Sequence, residues 1–235
     1  MIVNGLKIPH VEVDYEFARN PLRYSYSATE RIKGGIRIRS KRPESDVIPI
    51  PVIYFRRDTN KLWDDIIEEL TGILYSEKDS LVSFSHGDSS KYYLGQIMAI
   101  TIEEEHEKGA KGYIELVCED QRMFGKTKSI NLTTSNQTFL ITGQTSTPWT
   151  SRTVFTQSAS QFTIVGPYDG NITLNYDFIA GDVLEIDYKK RDVYLNGNDL
   201  AVAVDLRTNW FELPVGNITL QASHGTEITY TERYY

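Results

Sequence analysis

The residues able to do chemistry in this chain are few and scattered. Four histidines, His10, His86, His106 and His224, stand far apart, and none takes the His-x-x-x-His or Cys/His spacing that puts two ligands on one metal. Cys118 is the one cysteine. It ends the apolar run 114–118 and has no second thiol to pair with, so it reads as a small buried apolar residue. His86-Gly87-Asp88-Ser89 has the make-up of a hydrolase fragment, but the chain has no Gly-x-Ser-x-Gly elbow, and a solvated turn accounts for it. Glu103-Glu104-Glu105 brings carboxylates in number. Three adjacent acids at a hairpin tip, however, point in alternating directions and lack the apolar pocket that raises a general acid's pKa. A glycine-rich phosphate loop is also missing. The reading is a non-enzyme with no catalytic residue, no metal ligand and no cofactor site.

Two features suit binding instead. Between residues 31 and 42 the chain carries Arg31, Lys33, Arg37, Arg39, Lys41 and Arg42 and no acid. Gly34-Gly35 and Pro43 favour an extended, mobile arm over a packed strand, and two readings stay open: a solvated hairpin, or an arm that contacts an acidic neighbour. Residues 47–55 follow, with Pro49 and Pro51 interrupting strand pairing as in an edge segment. The second feature is Trp149 and Trp210, set among Ser, Thr and Asn. They could form a stacking platform for sugar, although tryptophan in a β-sandwich more often packs in the core.

The elements that would position these residues are mostly strands. Fifteen tyrosines and nine phenylalanines, with abundant Thr, Val and Ile, favour sheet over helix. Apolar residues at 40% and charged residues at 24% are enough for a packed core. The formal charge of −7 argues against a general nucleic-acid binder, because phosphate contact needs a basic field. The start of the chain has no basic, apolar leader pattern, and no run approaches the ~20 apolar residues of a membrane helix, so synthesis in a cytoplasm and no membrane contact are expected. The sequons at Asn131, Asn136, Asn171 and Asn217 then follow from a Thr- and Asn-rich composition.

Residues 11–17 alternate as a half-buried strand does. Over 61–77 the apolar positions Leu62, Trp63, Ile66, Ile67, Leu70, Ile73 and Leu74 recur every three or four residues, the mark of one amphipathic helix at about 60–76. Asp58, Thr59 and Asn60 are its candidate N-caps, with Asp64 and Asp65 in the first turn. Residues 97–102 and 112–117 read as strands joined by the charged tip 103–111. Composition shifts past residue 126, where Ser, Thr, Asn and Gln dominate to residue 163. A first domain over 1–128 and a second over 129–224 follow. In the second, short strands at 162–165, 171–175, 183–188, 192–195 and 217–222 are punctuated by turns, among them Asn196-Gly197, which supplies the positive φ of a tight hairpin. That spacing reads as a sandwich or jelly roll. The alternating segment 225–235 could close either domain.

Residues 180–214 carry a resemblance. Gly181-Asp182-Val183-Leu184-Glu185-Ile186-Asp187, then Arg191, Tyr194-Leu195-Asn196-Gly197 and Trp210-Phe211-Glu212-Leu213-Pro214, with Gly216-Asn217 after them, resemble the distal tail proteins of phages with long non-contractile tails. Residues 228–235 are similar to that family's terminal strand. Tyr92-Tyr93 with Gly95 and residues 115–125 also fit, and the basic segment 32–39 matches more loosely. The resemblance implies a mainly β protein: a sandwich-like N-terminal ring domain with one helix and an arm reaching the next subunit, then a galectin-like sandwich. In several members the terminal strand returns to the ring domain, so 225–235 is expected to complete the first domain. The implied role is a scaffold, a hexameric ring at the tail tip between the tail tube and the adhesion apparatus. Its partners would be its own copies, the tail tube protein, the tail-tip hub protein and receptor-binding proteins or their adaptors, with DNA passing through the lumen unbound. The alternative is a carbohydrate-binding module that recognises cell-surface glycans.

Overall fold

The computed structural model describes residues 1–14, 24–30, 36–43, 47–56, 61–76, 78–83, 90–118, 120 and 122–235. The chain forms two compact units, Met1–Phe124 with Tyr235, and Gly125–Tyr234. The described strands of both pair antiparallel, and the chain is mainly β with one α-helix.

In the first unit β1 (Ile2–Val3), β2 (Leu6–Lys7), β3 (Val11–Val13), β6 (Val47–Phe55), β7 (Ser80–Ser83), β8 (Tyr93–Glu105) and β9 (Gly109–Val117) join in the order β2-β1-β7-β8-β9-β6-β3. The long β8 serves both halves: Tyr93–Gly95 pairs with β7, and residues from Gln96 onward pair with β9. The two edges, β2 and β3, are separated by only residues 8–10. Four peptide units reach at most ~14 Å, so the array has to curl back on itself. Met1, Ile8, Val11, Ile50, Val52, Tyr54, Ile114 and Leu116 are buried in this unit. Gly95 and Gly112 leave no room for a side chain, since a Cβ on Gly112 would overlap the Thr101 carbonyl and one on Gly95 the Val117 carbonyl.

Helix α1 (Trp63–Leu74) buries Ile66, Leu70 and Leu74, the i, i+4, i+8 stripe of the expected apolar face. Leu62 and Ile73 are exposed instead. The helix starts later than expected: Leu62 is the N-cap, and its N–H donates to Asp65 Oδ2 at 2.8 Å. Of the proposed caps, Asp58, Thr59 and Asn60 lie outside the described residues. The first-turn acids Asp64 and Asp65 are where the helix dipole favours them.

The remaining strands of this unit, β4 (Tyr24–Glu30) and β5 (Ile36–Pro43), pair with each other and with no other described strand.

The second unit holds two sheets. One has the order β10-β19-β12-β15-β16-β17, from Met123–Leu132, Thr226–Tyr234, Trp149–Val154, Val183–Asp187, Asp192–Leu195 and Asn198–Asp199. The other has the order β11-β18-β13-β14, from Gln137–Ile141, Gly216–Ala222, Ala159–Val165 and Asn171–Phe178. One apolar core joins both inner faces: Leu184, Ile186, Val193 and Ile228 from the first meet Phe162, Ile164, Ile172, Leu174, Ile218 and Leu220 from the second. This is a β-sandwich. Strands β11 and β12 lie in the Ser/Thr/Asn/Gln-rich stretch, outside the strands named from the sequence.

The division into units falls at 124/125, because β10 already belongs to the sandwich from Gly125 on. The expectation that 225–235 completes the first domain needs correction. Strand β19 is an interior strand of the sandwich, held by β10 and β12. Its buried Ile228 and Tyr230 belong to that core, with Thr226 and Glu232 buried in the same alternation, and only Tyr235 groups with the first unit.

Candidate functional site

The segment that carries the family resemblance is a set of turns locked by side chains. Asp182 is buried; its carboxylate accepts from Ile179 N–H at 2.9 Å and from Asn196 Nδ2 at 2.8 Å. Those bonds, the Ile179 one foremost, hold its pKa below the usual carboxylate range. Asn196 Oδ1 in turn accepts from Val183 N–H at 2.9 Å. Gly181 and Gly197, at φ +95° and +81°, allow the two turns their shape. Gly-Asp-Val and Asn-Gly therefore form one clamp at the end of β15 and β16.

Phe211 explains the second half of the motif. Its ring fills a slot in which a Cβ on Gly166 or on Gly170 would overlap it. Trp149 packs on Phe211 with ring centroids 5.3 Å apart, and its Nε1 donates to the Phe211 carbonyl at 2.8 Å. Trp149 is 2% exposed. That corrects the sugar-platform reading for Trp149, because an indole needs a free face to stack on a ring and this one has none. Trp210 is half-buried, edge-on to Tyr188 at 6.1 Å, and packs against the same core. The two tryptophans do not form a shared platform.

A polar knot ties β10, β11 and β19 together. Lys128 Nζ is 2.7 Å from Glu232 Oε1 and 2.7 Å from Thr142 Oγ1; Thr142 and Tyr234 hydroxyls donate to the same carboxylate. Burial pushes the Glu232 carboxyl up, but the three hydrogen bonds and the Lys128 charge outweigh it and bring it down to about 2. The bond from Glu232 raises Lys128 in return. Sequence reasoning passes over this knot, because its members are far apart in the chain.

The basic residues of the proposed arm divide. Arg31 and Lys33 lie outside the described residues. Arg37, Arg39, Lys41 and Arg42 lie on β5, where Thr29 pairs with Arg37, Tyr26 with Lys41 and Ser25 with Arg42. Residues 36–43 thus form a strand paired with Tyr24–Glu30. An irregularity in register falls between Ser27 and Ala28. Alternating side-chain positions make such a strand, and Pro43 can end it without breaking a ladder.

The other candidates disperse. His10 Nδ1 lies 2.9 Å from the Phe55 carbonyl; His106 is exposed on the turn after β8; His224 lies 4.8 Å from Phe155, where burial lowers its pKa; His86 is outside the described residues. Glu103, Glu104 and Glu105 are exposed, and Cys118 is buried. Among the described residues no group of three His, Cys, Asp or Glu gathers as metal ligands. Nor is any described helix long and apolar enough to cross a membrane. The arrangement offers shape, edges and charge for protein contact.

Comparison with known proteins agrees with the motif. Residues 142–234 match the siphovirus-type tail component, C-terminal domain. The distal tail protein of Bacillus phage SPP1 is 29% identical over 211 residues, covering 86% of this chain and 81% of that protein. In fold, the crystal structure of SPP1 Dit, described as a paradigm of hub adsorption apparatus in Gram-positive infecting phages, superposes with a TM-score of 0.81 at 20% identity. That match covers 100% of this chain and 98% of the other. A chain of the phage P2 baseplate in its activated conformation with Ca is more distant, with a TM-score of 0.52 at 8% identity over 95% of this chain and 91% of that one. Residues 142–234 thus match a siphovirus-type tail component domain, and the chain as a whole is similar to a siphophage distal tail protein.

Proposed function

We propose that this protein is the structural hub of a phage tail tip: six copies close into a ring that joins the tail tube to the host-adhesion apparatus and leaves a lumen for DNA. The observation that carries this reading is the likeness to the SPP1 distal tail protein over most of both chains. The first unit, 1–128 in the sequence reading, builds the ring, and the sandwich, taken as galectin-like, projects from it. The partners are further copies, the tail tube protein, a tail-tip hub protein and receptor-binding proteins or their adaptors. The site of action is the virion tail tip, after synthesis in the host cytoplasm, and the role needs no catalysis and no cofactor.

The β4–β5 hairpin supports assembly. An isolated two-stranded hairpin is marginally stable in water, and this one pairs with no other described strand. The basic residues Arg37, Arg39, Lys41 and Arg42 on it suit an acidic neighbour in a chain of net charge −7. A ring needs heterologous contacts that close, and a reaching hairpin enlarges each of them. The net acidity also suits a DNA channel, since a basic wall would retain phosphates.

Light scattering with negative-stain imaging tests the ring. Six copies of 26.9 kDa give roughly 160 kDa. A ring of that mass from purified protein, or six-fold density at the tip of isolated tails labelled through this chain, is the expected result. Density of another symmetry, or label elsewhere on the virion, rejects the reading.

A further inference from the structure

Strand β19 comes last in the second unit in chain order, yet it lies inside the six-stranded sheet with β10 on one side and β12 on the other. Without it β10 has no partner strand in that sheet, and β12 has one bare edge. Its inward residues complete the core: Ile228 and Tyr230 are buried in the shared cluster, and buried Thr226 Oγ1 lies 2.8 Å from Thr153 Oγ1. Thr231 and Thr229 meet Thr127 and Ser129 of β10 at 3.0 and 3.1 Å. Thr147 Oγ1 donates to the Thr231 carbonyl at 2.7 Å, and Gln144 N–H to the Arg233 carbonyl at 2.8 Å. Glu232 closes the far end through Lys128, Thr142 and Tyr234. Only residues 223–225 link β18 to β19, and Gly225 has open space around its Cα.

We propose that the space between β10 and β12 is a strand-accepting peptide site, which this chain fills with its own β19 and which takes the same segment as a separate peptide. Its ligand class is an extended peptide whose inward positions read Thr, Ile, Tyr, Glu at every second residue, as at Thr226, Ile228, Tyr230 and Glu232. Two bare strand edges supply backbone hydrogen bonds on both sides, and the alternate side chains supply selectivity. The carboxylate fixes register. A slip of one residue would turn Ile228 and Tyr230 to solvent and carry Glu232 away from Lys128.

The test starts from the full chain with a protease-cleavable link inserted at Gly225. After cutting, the 225–235 peptide should stay with the body through gel filtration. It should leave only at the denaturant concentration where the slow amide exchange of β12 is lost. A peptide that leaves in native buffer overturns the proposal. In a second arm, a chain ending at residue 224 should lack slow exchange in β12 and regain it on adding synthetic 225–235. The Glu232→Ala peptide should bind at least about thirtyfold more weakly, the loss expected for a buried charged hydrogen bond, and a scrambled peptide should not restore exchange. Slow exchange in the truncated chain without peptide, or equal rescue by the scrambled one, overturns it as well. None of these readouts involves the ring, so this inference and the hub reading fail separately.

Discussion

Glu232 is the side chain whose chemistry and position depend most on the fold. Its carboxyl is held at about 2, against 4.5 ordinarily, by Lys128 and Thr142, which are distant in the chain, and by Tyr234 on its own strand. A carboxyl depressed by folding contributes stability that is full above about pH 4.5 and is lost as pH falls through 2. Glu232→Gln should therefore cost about 2 kcal/mol at pH 7, and the difference from the parent should shrink toward zero near pH 2, as read by urea unfolding at several pH values. Gly170 makes a second case. A Cβ there would sit 2.5 Å from the Phe211 ring, so Gly170→Ala should destabilise the sandwich by about 1–3 kcal/mol. Phe211→Ala should cost about 3–5 kcal/mol through the cavity it leaves. Thermal melts that track Trp149 fluorescence would read both.

At the scale of elements, the curl of the first unit and the two-stranded β4–β5 hairpin are the features with consequences. Strand β8 pairs with β9 across Gly112, and a Cβ there would run into the Thr101 carbonyl. Gly112→Ala should open this pairing and raise amide exchange in β8 and β9 while leaving the sandwich melt unchanged. The hairpin predicts the opposite pattern. Replacing Arg37, Arg39, Lys41 and Arg42 by Glu should weaken assembly in light scattering and leave the melting temperature of the unassembled chain within a degree or two. Helix α1 is the element most legible in the sequence, because a period of three and four over 61–74 has one solution on a helix. Its start is less so: propensity favours Asp58 to Asn60 as caps, while the N-cap is Leu62, whose own N–H donates to Asp65.

For the whole molecule, both sheets of the sandwich are built from residues 123–234. A fragment of residues 123–235 should therefore fold alone, with a single cooperative melt and the near-ultraviolet signal of Trp149. An unfolded fragment would mean that the sandwich depends on the first unit. The ring prediction belongs at this scale too, and its mass of roughly 160 kDa follows from six closing heterologous contacts.

Periodicity and turn chemistry by themselves determined that the chain is mainly β, has a helix near 60–76, and carries Asn196-Gly197 and Gly181-Asp182 turns. These are local signals, decided within a few residues by φ, propensity and alternation. The motif at 181–214 likewise pointed to the family before any contact was known. Strands β11 and β12 were hidden, because Ser, Thr and Asn mask an alternation that burial alone reveals; Trp149, Ser151 and Thr153 face inward only because a core is there. Tertiary structure also decided that β19 belongs to the sandwich, that Trp149 is core and that Lys128 meets Glu232. Each of these joins residues far apart in sequence, and such pairings are set by which sheet edges and buried faces remain to be satisfied once the local elements exist.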